Sequence, residues 1–162
     1  QTPCDTTDHF ILNGNILWTL AYADEAPWPS GTDGEGRSFV FVGGDASEAG
    51  SWRSSVDLGG NPGTSDRVPY SNEGTLLDYA IGGQEFTLKE ASTVLFEVLL
   101  KAGADDVLAI PEWSSDLARW AGEGLTLLAQ DSIGNGLIKK TWQLNRAPDN
   151  ERLFLRLRLE RP

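Results

Sequence analysis

The residues best equipped to do chemistry are aromatic and acidic. Six Trp stand in the chain of 162 residues. An exposed indole stacks on the C–H face of a sugar ring, so a solvent-facing pair makes a carbohydrate platform. Trp28, between Pro27 and Pro29 in a loop, and Trp52, beside another loop, are the candidates for it. Trp18, Trp113 and Trp142 lie in strand-like segments and are expected in the core, where an indole buries a large apolar area and its N–H needs one partner. The acids offer calcium chemistry. That ion takes about six to eight oxygens, and Asp24, Asp33 and Glu35 converge only if the Pro-Trp-Pro loop folds back. A glycosidase needs two carboxyls about 5–10 Å apart across a cleft, and none of the 24 acids singles itself out. Asp105–Asp106 follows Gly103 in a turn, where Asp is expected for backbone reasons.

Scarcity excludes more. The one cysteine, Cys4, rules out an intrachain disulfide and a cysteine-rich zinc site. The one histidine, His9, rules out zinc held by several imidazoles and leaves a Ser-His-Asp triad dependent on a single N-terminal residue. Gly31 to Gly36 lacks the Lys-Ser/Thr of a phosphate loop and has acidic flanks. An EF-hand template with Gly74 at its sixth position sets Pro69 and Ala80 where carboxylates are required. The expectation is a chain that is not an enzyme and carries no cofactor, calcium being the one ion considered.

The net charge of −11 repels phosphate backbones and anionic headgroups, so nucleic acid is not an expected partner. Membrane insertion is not expected either, because no apolar run approaches the ~20 residues that span a bilayer. No stretch reads as a signal peptide, so a secreted form is expected to be the mature or excised one.

Period-2 alternation and turn punctuation dominate the segments that must position these residues. Phe10 to Tyr22 reads as a hairpin turning at Asn13-Gly14, with Ile16, Trp18, Leu20 and Tyr22 on one face. Loops surround a strand at Arg37 to Val42. The Ser/Asp/Pro/Asn stretch Thr64 to Asn72 reads as a linker, and residues 74–81 read as one short helix stopped by Gly82-Gly83. Strands are expected at 93–100, 106–113, 125–129, 137–144 and 152–161, with one helical turn at Ser114 to Trp120. Pro111 suits an edge or bulge. In the last strand Leu153, Leu155, Leu157 and Leu159 point one way while Arg152, Arg156 and Arg158 point the other, toward cross-strand acids or an acidic partner. Residues 1–70 hold ten acids and three bases, against fourteen and ten in 71–162. Strands at this spacing suggest a β-sandwich.

Two segments resemble a known arrangement. The strand Asn15 to Tyr22, Asp24-Glu25-Ala26-Pro27-Trp28-Pro29, Asp33-Gly34-Glu35-Gly36-Arg37-Ser38, Trp52-Arg53-Ser54-Ser55 and Gly59-Gly60-Asn61-Pro62-Gly63 resemble the C-terminal part of a lamin-tail-like domain of large secreted bacterial surface proteins. Asn61 stands where Ser is usual, and only residues 1–14 precede the match, too few for the full set of strands. Leu76 to Gly82, Gly103 to Val107, Glu112 to Leu117 with Trp120, and Arg152 to Arg158 resemble the C-terminal module that follows in such proteins.

The resemblance implies an all-β chain: a smaller lamin-tail-like part over 1–66, a linker with one short helix over 67–84, and an Ig/fibronectin-like β-sandwich over 85–162. It implies a non-catalytic module, extracellular or at the cell surface, in a larger surface-associated or polymer-degrading protein, and the role expected of it is structural or adhesive. The partners expected are other domains or copies of a surface protein. Polysaccharide is the alternative partner, and filament assembly by strand addition at an open edge is a further one.

Overall fold

The computed structural model describes residues 6–32, 34–61, 63–82, 87–90, 94–145 and 152–161. The described residues form an all-β arrangement with one short α-helix and a single 3-10 turn at Ala49–Ser51. Strands β1 (Thr6–Leu12) and β2 (Asn15–Tyr22) form the N-terminal hairpin. Both turn residues adopt positive φ, 51° at Asn13 and 79° at Gly14, the backbone that matches a tight hairpin turn to the twist of its strands. The hairpin is a sheet of its own, as is the antiparallel pair β3 (Phe39–Phe41) and β4 (Trp52–Ser54).

Helix α1 (Leu76–Ala80) starts where its cap dictates. The Thr75 hydroxyl accepts from the Asp78 amide, and the Asp78 carboxylate accepts from the Thr75 amide, so each side chain satisfies an N–H that the first turn leaves open. No described helix is long and apolar enough to cross a membrane.

The larger sheet runs β5 (Thr87–Glu90), β6 (Val94–Lys101), β9 (Leu137–Leu144), β8 (Leu125–Gly134), all antiparallel. Strand β7 (Leu108–Ser114) pairs separately with β10 (Phe154–Glu160). Phe96, Val98, Leu100 and Trp142 form the core on one face of the larger sheet, and Ala109 of β7 with Leu155 and Leu157 of β10 pack against it. The two sheets thus bury one face each against the other, which is why the leucines of β10 alternate with arginines. Arg156 faces Glu112 directly across the ladder, and Arg158 reaches the same carboxylate. The cross-strand partner expected for these arginines is therefore Glu112. Pro111 sits in β7, whose other side pairs with no further strand among the described residues and meets Ala121 through one isolated bridge at Trp113.

Residues 115–118 are bends and not the helical turn expected there. The Ser114 hydroxyl accepts from the amides of Asp116 and Leu117, the Asp116 carboxylate accepts from those of Ala118 and Arg119, and Leu117 has φ of 63°. Local side-chain acceptors have taken the amides in a tight turn, and a left-handed residue interrupts a helix. Trp120 lies under the Arg156 guanidinium, 4.1 Å from ring centre to Cζ.

Candidate functional site

Strand β4 separates two environments because consecutive side chains leave a strand on opposite faces. Trp52 enters an aromatic cluster and the next residue, Arg53, enters an ionic one.

Trp52 is 5% exposed and its Nε1 donates to the Ala46 carbonyl at 2.9 Å. Phe41, its cross-strand neighbour, has its ring centre 5.1 Å away, and Phe39 meets Trp52 edge-on at 6.0 Å. Trp18 lies nearly parallel over Trp52, 5.9 Å away with 12° between the planes. Phe39 also takes Tyr22 and Trp28 edge-on, at 4.9 and 6.0 Å. Trp52 is therefore the floor of this cluster, and Trp28 is a half-buried member of its wall. The exposed rings are Trp18, 38% accessible, and Phe41, 48% accessible. Trp18, expected in the core from its strand position, corrects that expectation: the hairpin seats Leu20 and Tyr22 against the molecule and carries Trp18 toward solvent. Trp142 is buried as expected.

On the other face, Arg53 is almost completely buried and uses all five of its N–H donors. Nε and Nη2 fork onto the two oxygens of Asp105 at 2.8 and 2.6 Å. Nη1 donates to Asp66 Oδ2 at 2.5 Å and to the Ser54 carbonyl, and Nη2 donates also to the Asp66 carbonyl. Burial on its own lowers the arginine's pKa, but the hydrogen bonds and charges of Asp105 and Asp66 outweigh it and raise it. Asp66 further accepts from the Val56 amide and from Asn61.

Asp105 and Asp106 thus do more than shape a turn. Asp106 accepts from the Tyr70 amide at 2.8 Å and pairs with Arg67. The segment 64–72, read from composition as a linker, is tied down through these bonds and through the Val68 amide on the Gly103 carbonyl. Gly103 has φ of 84°, and a Cβ there would stand 2.9 Å from the Asp66 carbonyl oxygen, so the close approach requires glycine.

A groove of about 550 Å³ runs between β3 and residues 60, 61 and 64–67, with Phe41, Asn61, Thr64, Ser65 and Arg67 among its walls. Further contacts reach the larger sheet. Gln130 of β8 donates through Nε2 to the carbonyls of Ala49 and Pro27, and the Ser30 amide donates to the Gln130 carbonyl.

Of the acids considered for calcium, Asp24 and Glu35 are exposed and Asp33 lies outside the described residues. Among the described residues no three His, Cys, Asp or Glu side chains are grouped to hold a metal ion. His9 Nδ1 is hydrogen-bonded to the Thr19 hydroxyl at 3.0 Å across the hairpin. Cys4 lies outside the described residues.

Residues missed from the sequence are Phe41, Arg53 and Lys140. An arginine next to Trp52 in an acidic half carried a signal for the second, because three bases among ten acids must find partners. Lys140 interrupts the apolar alternation of β9, a signal considered below. No family model, curated protein or solved structure matches the chain.

Proposed function

We propose that the chain is a non-catalytic extracellular β module with a structural or adhesive role in a larger secreted or surface-associated assembly. In this reading a lamin-tail-like part precedes an Ig/fibronectin-like β-sandwich. The observation that carries it is the hairpin tip. Ile11 and Ile16 are direct cross-strand partners, 61% and 57% exposed, and Leu12, 58% exposed, leaves the same tip by the opposite face. An apolar tip on a hairpin that pairs with no other described strand is a surface that another domain or copy covers. The non-catalytic part rests on Asp66 and Asp105, whose carboxylates beside the groove are consumed by Arg53.

Sedimentation of the chain over a hundredfold dilution, beside Ile16→Lys, tests the reading. Concentration-dependent mass that the substitution abolishes supports it and favours strand addition between copies. A monomer at every concentration, with the tip as readily labelled by a hydrophobic dye as in Ile16→Lys, overturns it.

A second reading, carbohydrate binding, is favoured by one arrangement: Trp18 stacked on Trp52 with Phe41 beside them, bordering a groove with amide and hydroxyl side chains. A glycan array separates it. Binding lost on Trp18→Ala, with Trp28→Ala as comparison, supports a sugar platform, and running the array with calcium and with chelator tests Asp24, Asp33 and Glu35.

A further inference from the structure

Lys140 stands where the strand pattern asks for an apolar side chain. On β9 it shares a face with Ile138, Trp142 and Leu144, all buried. Its direct neighbours across the sheet are Val98 and Gln130, each 1% exposed.

The side chain lines a cavity of about 210 Å³ between the larger sheet and the β3–β4 region, walled largely by Val42, Leu100, Ala109, Ile110 and Ile138. Three other charged residues border the cavity, and each is committed. Arg53 and Asp105 hold one another in the fork described above, and Lys101 Nζ donates to the Asp78 carbonyl at 2.7 Å. The Lys140 ammonium has no hydrogen-bond or ion-pair partner among the described residues. A cation withdrawn from water without a partner is costly, and burial lowers its pKa to about 8, opposed by the charge of Asp105. At neutral pH the group is still mostly protonated. The cavity therefore offers uncommitted positive charge in a chain whose net charge is −11.

We infer that this cavity binds a small monocarboxylate with an apolar body, its carboxylate on Lys140 Nζ and its tail along Leu100, Ile110 and Ile138. A cavity of roughly 150 Å³ accepts benzene, so the space here suits a body of about six carbons. The ligand supplies the counter-charge that the protein withholds, and the apolar walls supply the remaining affinity.

The test titrates the full chain with hexanoate and with 1-hexanol by calorimetry, beside Lys140→Met. Saturable hexanoate binding, with 1-hexanol weaker by about tenfold, is expected from a charge-assisted hydrogen bond. Lys140→Met should lose about tenfold for hexanoate and nothing for 1-hexanol. Equal affinity for acid and alcohol, hexanoate binding unchanged in Lys140→Met, or no saturable binding overturns the inference. Acetylation of Lys140 followed by mass spectrometry gives an answer without a variant: protection by hexanoate and not by 1-hexanol supports the site, and absence of protection overturns it.

Discussion

Two cations border one cavity, Arg53 buried and Lys140 half-buried, and they are treated in opposite ways. Arg53, on β4, spends every donor on Asp66, Asp105 and two carbonyls, so its charge is answered within the protein. Lys140, on β9, faces apolar walls and an acid already taken. The planar guanidinium matches carboxylate forks, whereas an ammonium is a point charge whose pKa falls when it is desolvated. The difference teaches how the same chain uses burial: the first cation holds segments together, and the second leaves a position for something outside the protein.

The largest expected effect breaks the answered side of this comparison. Arg53→Ala leaves two carboxylates buried against each other, and the loss should be about 3–5 kcal/mol in urea unfolding. Arg53→Lys should recover less than half of it, since an ammonium cannot fork onto Asp105 while reaching Asp66. A loss below ~1 kcal/mol in Arg53→Ala would mean the network is dispensable.

The unanswered side should respond with the opposite sign. Lys140→Met, which keeps length and removes charge, should stabilise the chain at pH 7 by roughly 1–3 kcal/mol. The folded-state pKa of about 8 lies below the ordinary 10.5, so between these values the unfolded chain binds more protons than the folded one. Stability of the unsubstituted chain should therefore rise with pH across that window, and the advantage of Lys140→Met should shrink across it. Parallel unfolding curves from pH 7 to 10.5 check this.

Smaller effects sharpen the same contrast at the surface. Trp18→Ala removes one stacked partner of Trp52 at a cost of about 1 kcal/mol and should shift indole emission to the red as Trp52 meets water. Glu112, itself 8% exposed, is the counterpart of the Arg53 acids, but it is paired with arginines that reach solvent. Burial raises its pKa, but the hydrogen bonds of Arg158 and Arg156 prevail and hold it below 4.5. Its contribution is thus present above pH 4.5 and lost as pH falls through the lower folded value. Both arginines are well exposed, so Glu112→Gln should cost less than about 1 kcal/mol at neutral pH and nothing in acid, with the cost reduced by salt.

Much of the strand framework was legible because alternation and turn residues are local. Asn13-Gly14 marked the hairpin, the apolar spacing over 74–81 marked the short helix, and the leucine–arginine alternation of β10 named both the buried face and the outward arginines. The Ser114 to Trp120 segment misled for an equally local reason: serine and aspartate cap helices and also close tight turns, and the spacing of Leu117 and Trp120 suits either. The candidate site was less legible. Trp28 and Trp52 stand in loop surroundings that read as exposed from the sequence, and both rings fold inward onto Phe39.

The amino-acid order alone determined where most strands run and turn, since the period of two and the preferences of glycine, asparagine and proline act over a few residues. The bulge at Phe10/Ile11, which sets Ile16 on the face opposite Trp18, breaks the alternation expected of that strand. Only the tertiary structure decided that Trp18 is exposed while Trp52 is covered, that Arg53 meets Asp66 and Asp105, which stand 13 and 52 positions away, and that Lys140 opens on a cavity. Alternation tells which face a side chain leaves by, but what that face meets depends on segments brought together across the whole chain.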